Sequence, residues 1–401
     1  MIQTLSINEN DQFEPITVQE GEHVVGSFCG NSSGPTLVVF GAIHGNEHSG
    51  VIAMKRMLPG LSEIESKLRG RVFLLAGNTR AINKNIRFED ADLNRHWTVE
   101  SVKRNSPDSK IRTNRAEDIE QTEILEVIGE VFDSAEDEIY ALDLHSTSAE
   151  STPFAMIGDT LRNREFARQF PATILLGIEE QLDGTILEYI NNMGAVTLGF
   201  EAGQHTSLSS VRNHEALIWL ALAHSGILAE EDADVRRHEE VLSTAMGGSR
   251  LVEIRYRHAI TEKDEFRMNP GYKNFQPIKK GEVLALSRNR KVRANESGLI
   301  LMPLYQAQGQ DGFFIGREIS TIWLWLSKIL RRLKLGSLMR FLPGVRVHPA
   351  DPESLIVNTR IARILPLQIF HLLGFRKTRR RNDELIVSRR KHDTISPFIK
   401  R

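Results

Sequence analysis

The chain has 401 residues, 40% hydrophobic and 26% charged, which supplies more than one core and excludes a disordered tail protein or a disulfide-stapled miniprotein. Its single cysteine, Cys29, excludes an internal disulfide framework and a cysteine-only zinc cage, and is compatible with a reducing cytoplasm. Net charge is -1, but residues 317–401 carry 19 Lys/Arg against 6 Asp/Glu and the preceding residues carry 32 against 46, so an acidic body is joined to a basic tail.

The amino-terminal stretch MIQTLSINENDQFEP has neither an early basic stretch nor a long apolar core, so no secretory signal is expected and a cytoplasmic location is. The longest strongly apolar run, around Ile322 to Leu326, is far short of the roughly 20 residues of a spanning helix. Nearly all-apolar runs predict strands at Thr36 to Gly41, Arg71 to Gly77, Glu138 to Leu144, Ala172 to Gly177 and Ala195 to Phe200. Such runs fit strands buried on both faces. Between them, amphipathic stretches predict helices at His48 to Leu58, Thr122 to Phe132, Asp159 to Phe170 and Leu208 to His224. The alternation predicts an α/β fold, a mixed sheet flanked by helices, over residues 1–230. Short strand-like pieces punctuated by Gly271, Gly281, Gly298 and Gly309 then predict a small β domain over 245–316.

The basic extension, 317–401, opens with a Trp-rich stretch in which apolar residues recur at 319, 322, 323, 326, 329, 330 and 333, opposite Lys328, Arg331 and Arg332. That is helical spacing and predicts a helical tail. One reading places Trp323 and Trp325 at a membrane interface, with the cluster Arg376 to Arg381 on anionic headgroups, which would make the protein peripheral at a membrane. The other packs the apolar face on the body or on a second copy of the chain, the cations facing the acidic domain. Nucleic acid is not expected as a partner, because too few aromatics accompany the basic run.

Chemistry concentrates at strand ends. In LVVFGAIHGNEHSG, His44 and Glu47 lie three apart on a turn leaving the first of these strands. One tight turn can bring an imidazole and a carboxylate to a common point, and a catalytic divalent metal takes three protein ligands and a water. LDLHSTS supplies a third ligand, His145, at the end of another buried strand. Carboxyl ends of strands line the crevice of an open α/β sheet, so both segments should face it. A third apolar run, AVTLGFEAGQH, ends at Glu201, a carboxylate whose burial is costly unless it is paired, metal-bound or working. As a base, Glu201 would take a proton from the attacking water and deliver it to a leaving amine. The polar block IRFEDADLNRHW adds Arg87, suited to a developing oxyanion, Asn94 and Arg95, suited to a substrate carboxylate, and Asp92, suited to holding the free ring nitrogen of a metal-bound His. Taken singly, each of these blocks also reads as an ordinary polar loop.

With HGNE, DLNR, DLHS and the FEAG glutamate in this order, the sequence resembles the succinylglutamate desuccinylase and aspartoacylase family, relatives of zinc carboxypeptidases, over about residues 1–316. The resemblance implies a zinc carboxypeptidase-like catalytic domain binding one Zn2+ per chain through His44, Glu47 and His145. It implies Glu201 as general base, Arg87 polarising the carbonyl, Asn94 and Arg95 clamping a substrate carboxylate, and Asp92 behind the ligands. The reaction implied is hydrolysis of the amide of an N-acyl amino acid or similar small amide, with the extra β domain crowding the cleft mouth. A carboxypeptidase-like peptidase on short peptides, or a membrane-surface or partner-binding protein with a non-catalytic metal site, are the alternatives. Arg162, Arg164 and Arg168 match no family motif, although an acyl carboxylate would suit them; His48, Gln204 and His205 flank the motifs, and Cys29 reads as a small apolar strand residue.

Overall fold

All five strands expected in the body form, and they lie in one sheet of the computed structural model, which describes residues 12–106, 108–109, 114–349, 351–358, 367–381 and 384–399. Its body strands are β1 (Val24–Cys29), β2 (Ser32–Gly41), β3 (Arg69–Ala76), β4 (Ile139–Thr147), β5 (Phe154–Met156), β6 (Thr173–Leu176) and β7 (Val196–Gln204). Helices α1 (Ser49–Glu63), α2 (Thr79–Lys84), α3 (Val99–Arg104), α4 (Ala116–Asp133), α5 (Leu161–Ala167), α6 (Ile178–Gln181), α7 (Ile186–Met193), α8 (Leu208–His224) and α9 (Val235–Met246) accompany them. After α9 come β8 (Leu251–Ala259), β9 (Arg267–Met268), β10 (Pro277–Ile278), β11 (Val283–Ser287), β12 (Arg290–Arg293), β13 (Gly298–Leu301) and β14 (Asp311–Glu318).

The central strands read as unbroken apolar runs because both their faces are covered. In β2, Leu37 and Val39 pack in the core that includes Val51 and Met54 of α1 and Leu217 of α8, while Val38 and Phe40 pack with Ile124 and Ile128 of α4. The same alternation runs through β4, with Leu142 and Leu144 on the first face and Ile139 and Ala141 on the second. Period-2 side chains feeding two helical layers are what a doubly covered sheet requires. β2, β3, β4 and β7 are mutually parallel neighbours, so the carboxyl ends of β2, β4 and β7 open on one edge.

The sheet does not stop at the change of texture near residue 245. Its order is β1-β3-β2-β4-β7-β5-β6-β8-β14-β13-β10, with β8 parallel to β6, so the glycine-punctuated region continues the main sheet by strand addition. Within this region β12, β11 and β9 form a separate small sheet.

The tail is helical over a shorter span than its spacing suggests. It contains α10 (Thr321–Arg332), α11 (Leu367–Leu372) and a four-stranded antiparallel sheet of β15 (Val345–His348), β16 (Asp351–Asn358), β17 (Phe375–Arg381) and β18 (Glu384–Arg389), in the order β15-β16-β18-β17. Helix α10 also packs only part of its apolar stripe. Leu324, Ser327 and Arg331 are its buried residues, whereas Ile322, Trp323, Trp325 and Leu333 are exposed. The reason is ionic. Nη2 of Arg331 lies 2.9 Å from Asp159 Oδ2 and its Nη1 3.2 Å from Asp393 Oδ1, and Lys328 and Arg332 reach Glu165 at 2.7 and 3.1 Å. These cations pair towards the body, then, while the apolar stripe divides: Ile319 and Leu330 pack against buried clusters, and Ile322, Trp323 and Leu333 are left outward. Side chains of 376–381 lie outside the described residues. Among the described residues no helix is long and apolar enough to cross a membrane. Cys29 is exposed at the end of β1, not packed in the core.

Candidate active site

His44 and Glu47 leave the end of β2 on a turn held by a hydrogen bond from Glu47 N to His44 O at 3.0 Å. Gly45 makes that turn possible, since a Cβ there would lie 2.3 Å from the carbonyl carbon of Ala81 at α2. His145 and Glu201 are register partners at the ends of β4 and β7. On β7, Val196, Leu198 and Phe200 belong to the core containing α1 and α8, which turns Thr197, Gly199 and Glu201 to the opposite face.

The three expected ligands converge. Nδ1 of His44 lies 2.9 Å from Glu47 Oε1, and Nδ1 of His145 lies 3.0 Å from Glu47 Oε2. One donor atom from each falls within 4.8 Å of the others, and all three residues are buried. Each imidazole is braced from behind. Nε2 of His44 faces Asp92 Oδ1 at 3.2 Å, and Nε2 of His145 faces Asp143 Oδ2 at 2.7 Å. A ring whose far nitrogen is held by a carboxylate presents its near nitrogen in fixed orientation, the usual support for a metal-binding histidine. Two imidazoles and a carboxylate, buried and oriented in this way, fit a divalent metal ion.

Electrostatics follow the same layout. Burial pushes the Glu47 carboxyl up, but His44 and His145 outweigh it and hold it well below the usual carboxylate range. For Asp92 burial is likewise overcome, by Arg87 and His44. Burial works against protonated His145, yet Asp143 and Glu47 hold it well above its ordinary value. Glu201 behaves differently: burial, against the pull of His145 and Arg87, pushes it up to about 8. Its Oε2 has no protein partner, and among the described residues of the cluster Asp143 Oδ1 is likewise unsatisfied.

The polar block divides. Arg87 stands against the cluster, with Nη2 2.8 Å from His44 Nε2 and 3.2 Å from Asp92 Oδ2. Asn94 and Arg95, read as a carboxylate clamp, are largely committed to the protein. Asn94 Oδ1 accepts from Ile186 N at 2.9 Å and its Nδ2 lies 3.3 Å from His145 Nε2, while Arg95 pairs with Asp311 at 2.7 Å. Asp311 also binds Arg257, so this corner holds two guanidiniums against one carboxylate. Arg162 is engaged by Glu138 and Arg164 by Asp159, while Arg168 is not among the residues lining the cavity. His48 bonds Asn85 at 2.9 Å, away from the ligands; Gln204 is exposed; His205 does line the cavity, its rings nitrogens 2.8 Å from Ser146 Oγ and 3.1 Å from Gln306 Oε1.

Two sets of residues escaped the sequence. Asp143 was hidden inside an apolar strand run, although an acid two positions before a ligand His, on the same strand face, is a readable signal. The loop between β13 and β14 reaches back across the cleft, with Gln306 on Asn46 at 2.8 Å and Gln308 on the Arg87 amide at 3.1 Å. A second group, buried His23 and Glu120 with half-buried Glu123, also has metal-ligand spacing, but Arg80 lies 2.7 Å from Glu120 and 2.9 Å from Glu123 and offsets their charge.

Residues 33–218 match the family model described as the succinylglutamate desuccinylase/aspartoacylase catalytic domain. Over these residues the chain is similar to that family's catalytic domain. The chain is 34% identical over 89 residues to a succinylglutamate desuccinylase of Pseudomonas fluorescens (strain SBW25), covering 22% of this chain but only 25% of that protein. It is 26% identical over 270 residues to an N-acyl-aromatic-L-amino acid amidohydrolase (carboxylate-forming) of Xenopus laevis, covering 62% of this chain and 84% of that one. Among solved structures, a succinylglutamate desuccinylase/aspartoacylase from Rhodobacter sphaeroides superposes with a TM-score of 0.53 at 19% identity, over 74% of this chain and 88% of its own. The product-bound ectoine utilization protein EutE (DoeB) of Ruegeria pomeroyi gives 0.51 at 20% identity, over 73% and 87%. At these identities the likeness is one of fold.

Proposed function

We propose that the protein is a zinc-dependent amidohydrolase that cleaves the amide bond of an N-acyl amino acid or similar small amide. The observation that carries this is the convergence of His44, Glu47 and His145, braced by Asp92 and Asp143, beside a buried carboxylate that has an unsatisfied oxygen. The amidohydrolase names among the relatives support the same reaction class. These three residues would hold the metal, which when bound supplies a Lewis acid for a carbonyl oxygen and lowers the pKa of water.

The remaining work falls to side chains of this chain. Glu201 accepts the proton as the water oxygen bonds to the carbonyl carbon, and returns it to the nitrogen as the carbon–nitrogen bond breaks. Arg87, lining the same cavity, donates to the carbonyl oxygen as negative charge develops there. The surplus positive charge of Arg95 and Arg257 over Asp311 draws the amino-acid carboxylate to the mouth. Asn94 acts on His145 and α7 as a positioning residue. The β13–β14 loop over the cleft disfavours a long peptide, and a structural zinc site would be closed by a fourth protein ligand.

Release of free amine from N-acyl amino acids by the zinc-loaded protein tests this. Glu201→Gln should lower kcat/KM by ~100-fold or more while zinc content is unchanged. Near-normal turnover by that variant would assign the base elsewhere.

A further inference from the structure

The cavity that holds His44, Glu47, His145 and Glu201 is about 170 Å³ in all and is also lined by Thr197 and Gly199, on the same face of β7 as Glu201. This volume is below the roughly 300–1,000 Å³ common for sites that hold drug-sized ligands, so it suits a small molecule with an arm of only a few carbons. Gly199 sits one strand repeat before Glu201 and leaves the passage open. A Cβ there would lie 3.2 Å from Leu187 Cδ1 and 3.4 Å from Met156 Cε, in the space between two apolar side chains that line the cavity. Its φ is not among the positive values of the chain, so the glycine contributes room rather than an unusual backbone conformation.

Other apolar residues lining the cavity are Ile157, Ile178, Leu182, Leu304 and Phe314. The charged lining residues outside the catalytic cluster and the Arg95–Asp311 corner are Glu188 and Arg390, of opposite sign, so between them they offer no net charge to a second carboxylate. An apolar group meets walls that match it.

We propose that this recess holds the acyl arm of the substrate and that the arm is uncharged and apolar, of about butanoyl to hexanoyl length or a phenyl ring, with Gly199 as the residue that admits it. The inference rests on the amidohydrolase reading for the placement of the carbonyl at Arg87 and of the amino-acid carboxylate at the mouth. It goes beyond that reading in fixing the chemistry of the acyl group, and sets this chain apart from hydrolases whose acyl group ends in a second carboxylate.

The test compares N-acetyl, N-hexanoyl and N-succinyl derivatives of one amino acid with the zinc-loaded full-length protein. Burying one methylene is worth about fourfold, so the hexanoyl compound should exceed the acetyl one in kcat/KM by on the order of tenfold or more, with the succinyl compound slowest. Gly199→Val should bring the hexanoyl-to-acetyl ratio down by on the order of tenfold, because its side chain fills the gap between Leu187 and Met156. Leu187→Ala, which enlarges the same gap, should shift the preference towards longer chains and keeps the proposal testable if the valine variant fails to fold. Calorimetric titration with free hexanoate and succinate provides a readout without turnover, with hexanoate expected to bind more tightly to the wild type and to lose that advantage in Gly199→Val. Succinyl or acetyl compounds hydrolysed as fast as hexanoyl, or a ratio unmoved by both substitutions, would overturn the proposal. If no N-acyl amino acid is hydrolysed the amidohydrolase reading fails, and the hexanoate titration still decides the character of the recess.

Discussion

Replacing Arg331 by Met should release the basic tail from the body. The guanidinium is fully buried between the two parts, with Nη1 donating to Asp159 O at 2.9 Å and to Asp393 Oδ1 at 3.2 Å, and Nη2 to Asp159 Oδ2 at 2.9 Å and His371 O at 3.2 Å. Removing one partner of a buried ionic group costs ~3–5 kcal/mol, mainly because the other partner is left uncompensated. Here the low end applies, since Asp159 keeps Arg164 at 2.8 Å and Asp393 keeps the Leu161 amide at 2.9 Å. A loss of ~3 kcal/mol raises the population of a tail-open state on the order of 100-fold. Hydrogen exchange of the α10 amides, with limited proteolysis between β14 and α10, measures that population directly. Arg331→Lys, which keeps the charge but not the forked donor geometry, should fall between wild type and Met. Exchange within about twofold of wild type in the Met variant would refute the idea that this ionic knot holds the tail.

Asp143→Asn should weaken zinc binding by ~10- to 100-fold in chelator competition, because it removes the carboxylate 2.7 Å from His145 Nε2; unchanged affinity would remove Asp143 from the supporting shell. Glu123 carries a stability signal far from the site. His23, with Arg80, holds its carboxyl down to about 2 against the opposing effect of burial, whereas the usual value is 4.5. A depressed carboxylate stabilises the fold above its unfolded pKa and loses that contribution as pH falls through the folded one. The stability gap between wild type and Glu123→Gln should therefore be full at neutral pH, at most ~1 kcal/mol given the exposure of the side chain, and should close between about pH 4.5 and 2. A gap that stays constant on acidification would contradict that assignment.

The central strands were legible because residues such as Leu37 to Phe40 have to satisfy two helical layers at once, and nothing else about their surroundings alters the pattern. His44, Glu47, His145 and Glu201 were legible for a related reason: each is a polar residue at the end of such a run. Asp143 was not singled out because the apolar residues around it dominate the run. The protein partners of Asn94 and Arg95 were not legible because they are far away in sequence, Ile186 for one and Asp311 for the other, and no local spacing announces a contact across 92 or 216 positions. Helix α10 shows the same limit from the other side. Its periodicity gives the helix and separates the two faces, but which face turns inward is decided by Asp159 and Asp393 on distant segments.

The most direct test of the metal centre is the zinc content of purified wild type, His44→Ala and His145→Ala, measured by elemental analysis with circular dichroism as a check on folding. About one zinc per chain in the wild type, and close to none in either folded variant, is the expected result. Variants that retain as much zinc as the wild type, or a wild type that binds none when zinc is supplied, would contradict it.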